Sequence, residues 1–239
     1  MTARHHQITV NGLAIHARTH GTGHPLLLHS GIFSRMDDWA PLLDHLDGFE
    51  VITYDAPGIG DSAPPPGPMS MRDLAAVGTG VLDRLGIGTA HVLGASFGGA
   101  VAQQMARDCP DRVGRLVLAS TSFGGLAMPG HPAALLDLAR RANGRGPASP
   151  RTVMFRMSAL VGWTSAHWLH RIPHPTLVLC GDDDRVTPLF NHRVIANRIP
   201  SARLHVAPGE GHLMLLDSPH VAGPVISAFL HAAGEVRAA

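Results

Sequence analysis

The chain has 239 residues, 45% of them hydrophobic and 15% charged, with a formal net charge of +1. That composition supplies ample material for a buried core and fits one α/β domain with an insertion better than two domains. The near-zero charge gives no electrostatic reason to expect nucleic acid or an anionic membrane surface as partner, and no apolar run reaches the ~18 residues of a membrane span.

The N-terminal residues lack the apolar core of a signal peptide, and the only two cysteines, Cys109 and Cys180, are spaced for neither a disulfide framework nor a metal site. A reduced cytoplasmic protein is the expectation. The 17 histidines are scattered, with no metal-binding spacing, so no metal and no cofactor are expected.

Taken in order, Gln7–Val10, Asn11-Gly12 and Leu13–Thr19 predict a hairpin, because Asn-Gly favours the tight two-residue turn. Pro25–His29 is a continuous apolar run, as in a strand covered on both faces. Trp39–Leu46 has helical spacing. Val51–Tyr54 predicts another buried strand, running into the turn-rich loop Asp55–Ser62. Pro64–Pro68 is a stiff spacer. Ser70 with Asp73 resembles a capping box and predicts a helix to about Leu85.

His91–Leu93 is a short strand that runs straight into Gly94-Ala95-Ser96-Phe97-Gly98-Gly99 and then into an Ala-rich helix ending near Cys109. This is a G-x-S-x-G turn. Glycines flank the serine where side chains would collide, and the turn exposes the Ser96 hydroxyl at the start of a helix. Leu116–Ala119 is the next strand.

Between Thr121 and Arg171 the rhythm breaks. Two weak helical patterns, Pro132–Ala142 and Thr152–Val161, are punctuated by Gly124-Gly125, Met128-Pro129-Gly130 and Asn143-Gly144-Arg145-Gly146-Pro147. A short lid over the carboxyl edge of the sheet is expected there. Alternation then resumes with Thr176–Cys180, Pro188–Arg198, Arg203–Val206 and Pro219–His231. Strands alternating with helices imply a mostly parallel, eight-stranded sheet with helices on both faces, an α/β fold whose ligands bind beyond the strands' carboxyl ends.

A serine hydroxyl needs a base, and the base needs an orienting group. In this architecture the order is serine, acid, histidine. Asp182, Asp183 and Asp184 follow a late strand. Asp184 is the choice, being last before the next helix, while Asp182 and Asp183 are expected to cap the turn. His212, in the glycine-rich loop after the last strand, is the expected base, ahead of His205 inside a strand. The oxyanion donors are expected to be the backbone N–H groups of Phe97 and of Ile32, with Gly31 the alternative. Gly31, Phe33, Trp163 and Val186 are the candidate substrate-binding residues. For Trp163 a second reading stands beside this one: with Trp168 it anchors the lid to the core.

With these elements placed, the whole chain resembles the α/β-hydrolase superfamily. Leu28–Ile32, the helix through Gln103-Gln104, Leu116–Ser120, and Gly162–Ile172 through to Pro188 are similar to the intracellular medium-chain-length polyhydroxyalkanoate depolymerases. The resemblance implies a serine esterase, with Ser96, Asp184 and His212 as its triad, acting on small, oligomeric or polymeric esters of 3-hydroxy fatty acids. Two departures stand out. Position 97 is phenylalanine where that family has tryptophan, and the lid is shorter. These leave room for a general short-chain carboxylesterase. Perhydrolysis or carbon–carbon hydrolysis on the same residues, a non-catalytic ligand receptor, and a homo-oligomer are the remaining alternatives.

Overall fold

The computed structural model describes residues 3–143 and 149–232. Its strands are β1 (Arg4–Val10), β2 (Leu13–Gly21), β3 (His24–His29), β4 (Phe49–Tyr54), β5 (Ala90–Ala95), β6 (Val113–Ala119), β7 (Thr176–Gly181) and β8 (Ala202–Ala207). Its α-helices are α1 (Ala40–Leu43), α2 (Met71–Arg84), α3 (Phe97–Asp108), α4 (Pro132–Asn143), α5 (Pro150–Ser158), α6 (Leu189–Arg198), α7 (Met214–Asp217) and α8 (Pro219–His231).

The eight strands form one sheet in the order β1-β2-β4-β3-β5-β6-β7-β8. Asn11 and Gly12 both take positive φ in the β1–β2 hairpin, so the first two strands add to the sheet antiparallel. From β4 onwards every pairing is parallel. All the parallel strands therefore end on one edge, and the loops that follow β3, β5, β7 and β8 meet there.

The apolar strand runs are buried on both faces. Leu27, Val92 and Leu118 face one core with Val77 and Val81 of α2 and Val101 and Met105 of α3. Leu26, Leu28, Leu93 and Val117 face the other with Leu42 of α1 and Ile226 and Leu230 of α8. At about 25 cal/mol per Å² of apolar surface, each fully buried leucine contributes roughly 2 kcal/mol against the entropy of ordering the chain. The Ser70–Asp73 capping box forms as expected and starts α2.

Two differences from the sequence reading have local causes. The helical pattern over Trp39–Leu46 is realised as a 3₁₀ turn, Met36–Trp39, followed by the four-residue α1. His45 and Leu46 donate to carbonyls three residues back, and Gly48 at φ +84 then ends the segment. The short α7 follows His212 without a cap residue to announce it.

The segment between β6 and β7 carries α4 and α5, with the expected break at Gly144–Pro147 lying outside the described residues. No helix among the described residues is long and apolar enough to cross a membrane. Cys109 and Cys180 are unpaired.

α3 crosses closely over the end of β3. A Cβ at Gly98 would lie well inside contact distance of the His29 carbonyl oxygen, and 2.8 Å from that of Ser30. Backbone cannot give way as a flexible side chain can. Gly98→Ala should therefore cost at least about 2 kcal/mol in urea unfolding, as overpacked core substitutions do. Gly67→Ala, where nothing lies within 4 Å, should stay within about 0.5 kcal/mol of wild type.

Candidate active site

Ser96 sits between β5 and α3 at φ 54, ψ −121, a region that L-residues rarely occupy. The strain is held from both sides. The Ser96 N–H donates to Ala119 O, at 2.9 Å, and its carbonyl accepts from the Thr121 hydroxyl at 2.7 Å. Thr121 is fixed in turn, since its N–H donates to His192 Nε2 at 2.9 Å.

The loops after β7 and β8 are laced together. Asp183 N donates to Glu210 O (3.1 Å), and Gly209 N to Asp182 Oδ1 (2.6 Å). A Cβ at Gly181 would overlap the Glu210 carbonyl, so only glycine lets the two loops approach this closely. Asp182 thus braces the turn, and exposed Asp183 pairs with Arg185.

This lacing presents His212 to both partners. Its Nδ1 lies 2.9 Å from Asp184 Oδ2, and its Nε2 lies 2.9 Å from Ser96 Oγ. The contact with Asp184 fixes the tautomer: Nδ1 carries the proton and Nε2 is left to accept from the serine. Asp184 is buried, and its remaining lone pairs are taken up. Oδ1 accepts from Val186 N (2.9 Å) and Thr187 N (2.8 Å), and Oδ2 from the Thr187 hydroxyl (2.7 Å). Burial works to raise the Asp184 pKa, but the His212 bond and charge and the Thr187 donors outweigh it and hold the carboxyl below its ordinary value. Thr187 was not among the sequence candidates. An aspartate followed three residues later by threonine is the local signature of such side-chain-to-backbone bonding.

A cavity of about 180 Å³ opens above Ser96 and His212. Gly31, Ile32 and Phe33 line it, together with Leu138 and Arg141 of α4 and Leu213 and Leu216 beyond His212. Arg141 reaches across to Asp217 of α7 at 2.8 Å, tying α4 to the far rim. Phe97, next to Ser96, does not line this cavity; its ring is turned into the core.

Two sequence candidates lie elsewhere. Val186 faces a neighbouring cleft that shares His212. Trp163 does not line the Ser96 cavity; its Nε1 donates to Gln104 Oε1 at 2.8 Å and its ring packs edge-on against Trp168 at 6.2 Å. Ser165 likewise bonds Gln103 at 2.6 Å. Trp163 is therefore placed as the packing anchor, because the paired glutamines of α3 draw the Gly162–Ile172 segment onto the core.

One further group has the residue types of a metal site. His16 Nδ1 lies 3.4 Å from Asp61 Oδ2 and 3.9 Å from Asp55 Oδ2. Asp55, however, already accepts from the Met36 and Asp61 N–H groups, bracing the loop after β4, and none of the three residues lines the Ser96 cavity.

Two buried histidines lend the site region a pH dependence. Burial holds His29 at about 3 and His192 at about 4. Both are neutral in the folded chain and take up a proton near 6.5 when it unfolds, so stability is full above that value and is lost as pH falls from 6.5 towards 4. These two groups alone should contribute about 4 kcal/mol to the loss in urea unfolding between pH 7 and 5, and His91, held at about 4 by burial, adds to it. His192→Gln, whose amide oxygen can still accept from Thr121, should reduce that slope by about one proton. An unchanged slope would contradict the assignment.

Comparison with known proteins agrees with the fold. The family model described as alpha/beta hydrolase fold matches residues 24–144 and 135–219. The poly(3-hydroxyalkanoate) depolymerase of Ectopseudomonas oleovorans is 37% identical in an alignment that covers 86% of this chain and 84% of its own. The putative carbamate hydrolase RutD of Caulobacter segnis is 30% identical over 87% of this chain and 91% of its own. The crystal structure of a hydrolase from Pseudomonas aeruginosa PA01 aligns with a TM-score of 0.84 at 29% identity, covering 96% of this chain and 98% of that one. By sheet order, by the turn at Ser96 and by these matches, the chain is a hydrolase belonging to the α/β-hydrolase fold family.

Proposed function

We propose that the chain is a serine carboxylic-ester hydrolase in which Ser96, His212 and Asp184 act as one unit. The observation that carries this reading is the continuous hydrogen-bonded line from Ser96 Oγ through both ring nitrogens of His212 to Asp184. His212 Nε2 takes the hydroxyl proton as Ser96 Oγ attacks the acyl carbon. Asp184 stabilises the imidazolium that forms. The N–H groups of Ile32 and Phe97 receive the oxyanion, neither having a hydrogen-bond acceptor among the described residues. His212 then returns the proton to the leaving alcohol, and water, activated by the same imidazole, releases the acid from the acyl-enzyme.

The apolar share of the lining, Ile32, Phe33, Leu138, Leu213 and Leu216, favours an acyl chain over a polar substrate. The similarity to a poly(3-hydroxyalkanoate) depolymerase adds the substrate class: esters or polyesters of 3-hydroxy fatty acids, with the β6–β7 segment acting as a short lid. The carbamate hydrolase relative favours a second reading, a carbamate at the same nucleophile.

Hydrolysis of p-nitrophenyl octanoate tests the nucleophile. Ser96→Ala should lose about 10⁴-fold or more in kcat, and Asp184→Asn about 10⁴-fold. Comparable turnover by wild type and Ser96→Ala would remove the reading. Across p-nitrophenyl esters from C2 to C12, the optimum is expected at medium chain length, with clearing of a medium-chain polyhydroxyalkanoate emulsion. Activity confined to the shortest esters would indicate a general esterase, and preference for an aryl carbamate the second reading.

A further inference from the structure

Arg156 is 4% exposed and sits on α5, in the segment between β6 and β7. It has no carboxylate partner among the described residues, and its Nε and Nη1 have no hydrogen-bond partner there. Burial lowers its pKa to about 10, with the nearby Tyr54 phenol opposing the shift, so it remains charged at neutral pH. Burying a guanidinium without a carboxylate partner is strongly unfavourable. A surface helix with no role in the site would gain nothing by carrying one.

The two contacts it does make are specific. Nη2 donates to the Gly31 carbonyl at 3.1 Å, and the guanidinium lies 4.8 Å from the centre of the Phe97 ring. One side chain therefore touches both loops assigned above to the oxyanion. The Gly31 carbonyl belongs to the same peptide unit as the Ile32 N–H, and in a planar trans peptide these groups point in opposite directions. Gly31 and Ile32 line the cavity at Ser96, whereas Arg156 does not. Arg156, outside the cavity, thus draws the carbonyl to its own side, with the Ser34 N–H as a second donor at 3.1 Å, and the Ile32 N–H of the same peptide points the other way. A charge-assisted bond to the carbonyl also polarises the peptide and makes its N–H a better donor.

We propose that Arg156 is a positioning residue that orients and polarises the Gly31–Ile32 peptide while clamping the Phe97 ring, so that seating the α5 helix and completing the oxyanion site are one event. The inference rests on the reading of Ile32 and Phe97 as oxyanion donors.

The test is the p-nitrophenolate burst, which reports acylation, in wild type, Arg156→Met and Arg156→Lys. Arg156→Met keeps the volume and removes the charge. It should slow acylation about 10- to 100-fold, part of the cost of losing a whole oxyanion donor, with KM changed less than about threefold. Arg156→Lys, which restores a charged donor, should recover most of that loss. A merely structural role would lower the melting temperature without this split between kcat and KM and without rescue by lysine. If Arg156→Met fails to fold, Arg156→Gln is read in its place, with the same slowing expected. A burst rate within about twofold of wild type in the folded neutral variant, an effect confined to KM, or a lysine variant as slow as the neutral one would overturn the proposal. Ser96→Ala, run alongside, separates the outcomes: if it retains activity, the serine reading fails first; if it is inactive while the neutral variant is fast, only the role of Arg156 fails.

Discussion

The structure depends on the close crossing of α3 over the end of β3, where the backbone at Gly98 meets the carbonyls of His29 and Ser30 with no room for a side chain. That contact sets the distance between the turn carrying Ser96 and the loop carrying Gly31 and Ile32. Beside it the chain at Ser96 takes a strained conformation, held by its bonds to Ala119 and Thr121. Relaxing the crossing would separate the proposed nucleophile from the proposed oxyanion donors.

The opposite wall of the cavity is held by polar contacts rather than by packing. Glu210 and Asp182 lace the β7 and β8 loops, and Thr187 and Val186 fill the lone pairs of Asp184 that His212 leaves open. A buried carboxylate is costly unless it is fully bonded. Here its bonds both offset that cost and aim it at Nδ1. The two walls come from distant parts of the chain and meet because the parallel strands end on one edge.

Much of this was legible in the sequence, because the relevant signals are local. Continuous apolar runs such as Pro25–His29 mark strands buried on both faces. Asn11-Gly12 marks the hairpin, Ser70 and Asp73 the start of α2, and Gly94 to Gly98 the turn at Ser96. What was not legible depends on tertiary contact. The weak amphipathic pattern around Arg156 looks like that of an exposed helix, and nothing near it in sequence says that its guanidinium is buried against Gly31 and Phe97. Trp163 reads more readily as an anchor than as a cavity wall, and only the tertiary contact, Gln104 accepting its N–H, places it. The α7 helix and the 3₁₀ turn at Met36–Trp39 are too short for periodicity to register.

The proposed chemistry requires Ser96 to be an activated nucleophile in the company of His212. Intact-mass analysis and peptide mapping after treatment with an alkyl fluorophosphonate test this directly. The expected result is a single adduct, mapped to Ser96 in wild type and at least about 10³-fold slower to form in His212→Ala, since a serine without its base is a weak nucleophile. No adduct, an adduct on another residue, or equal labelling in the two proteins would contradict it.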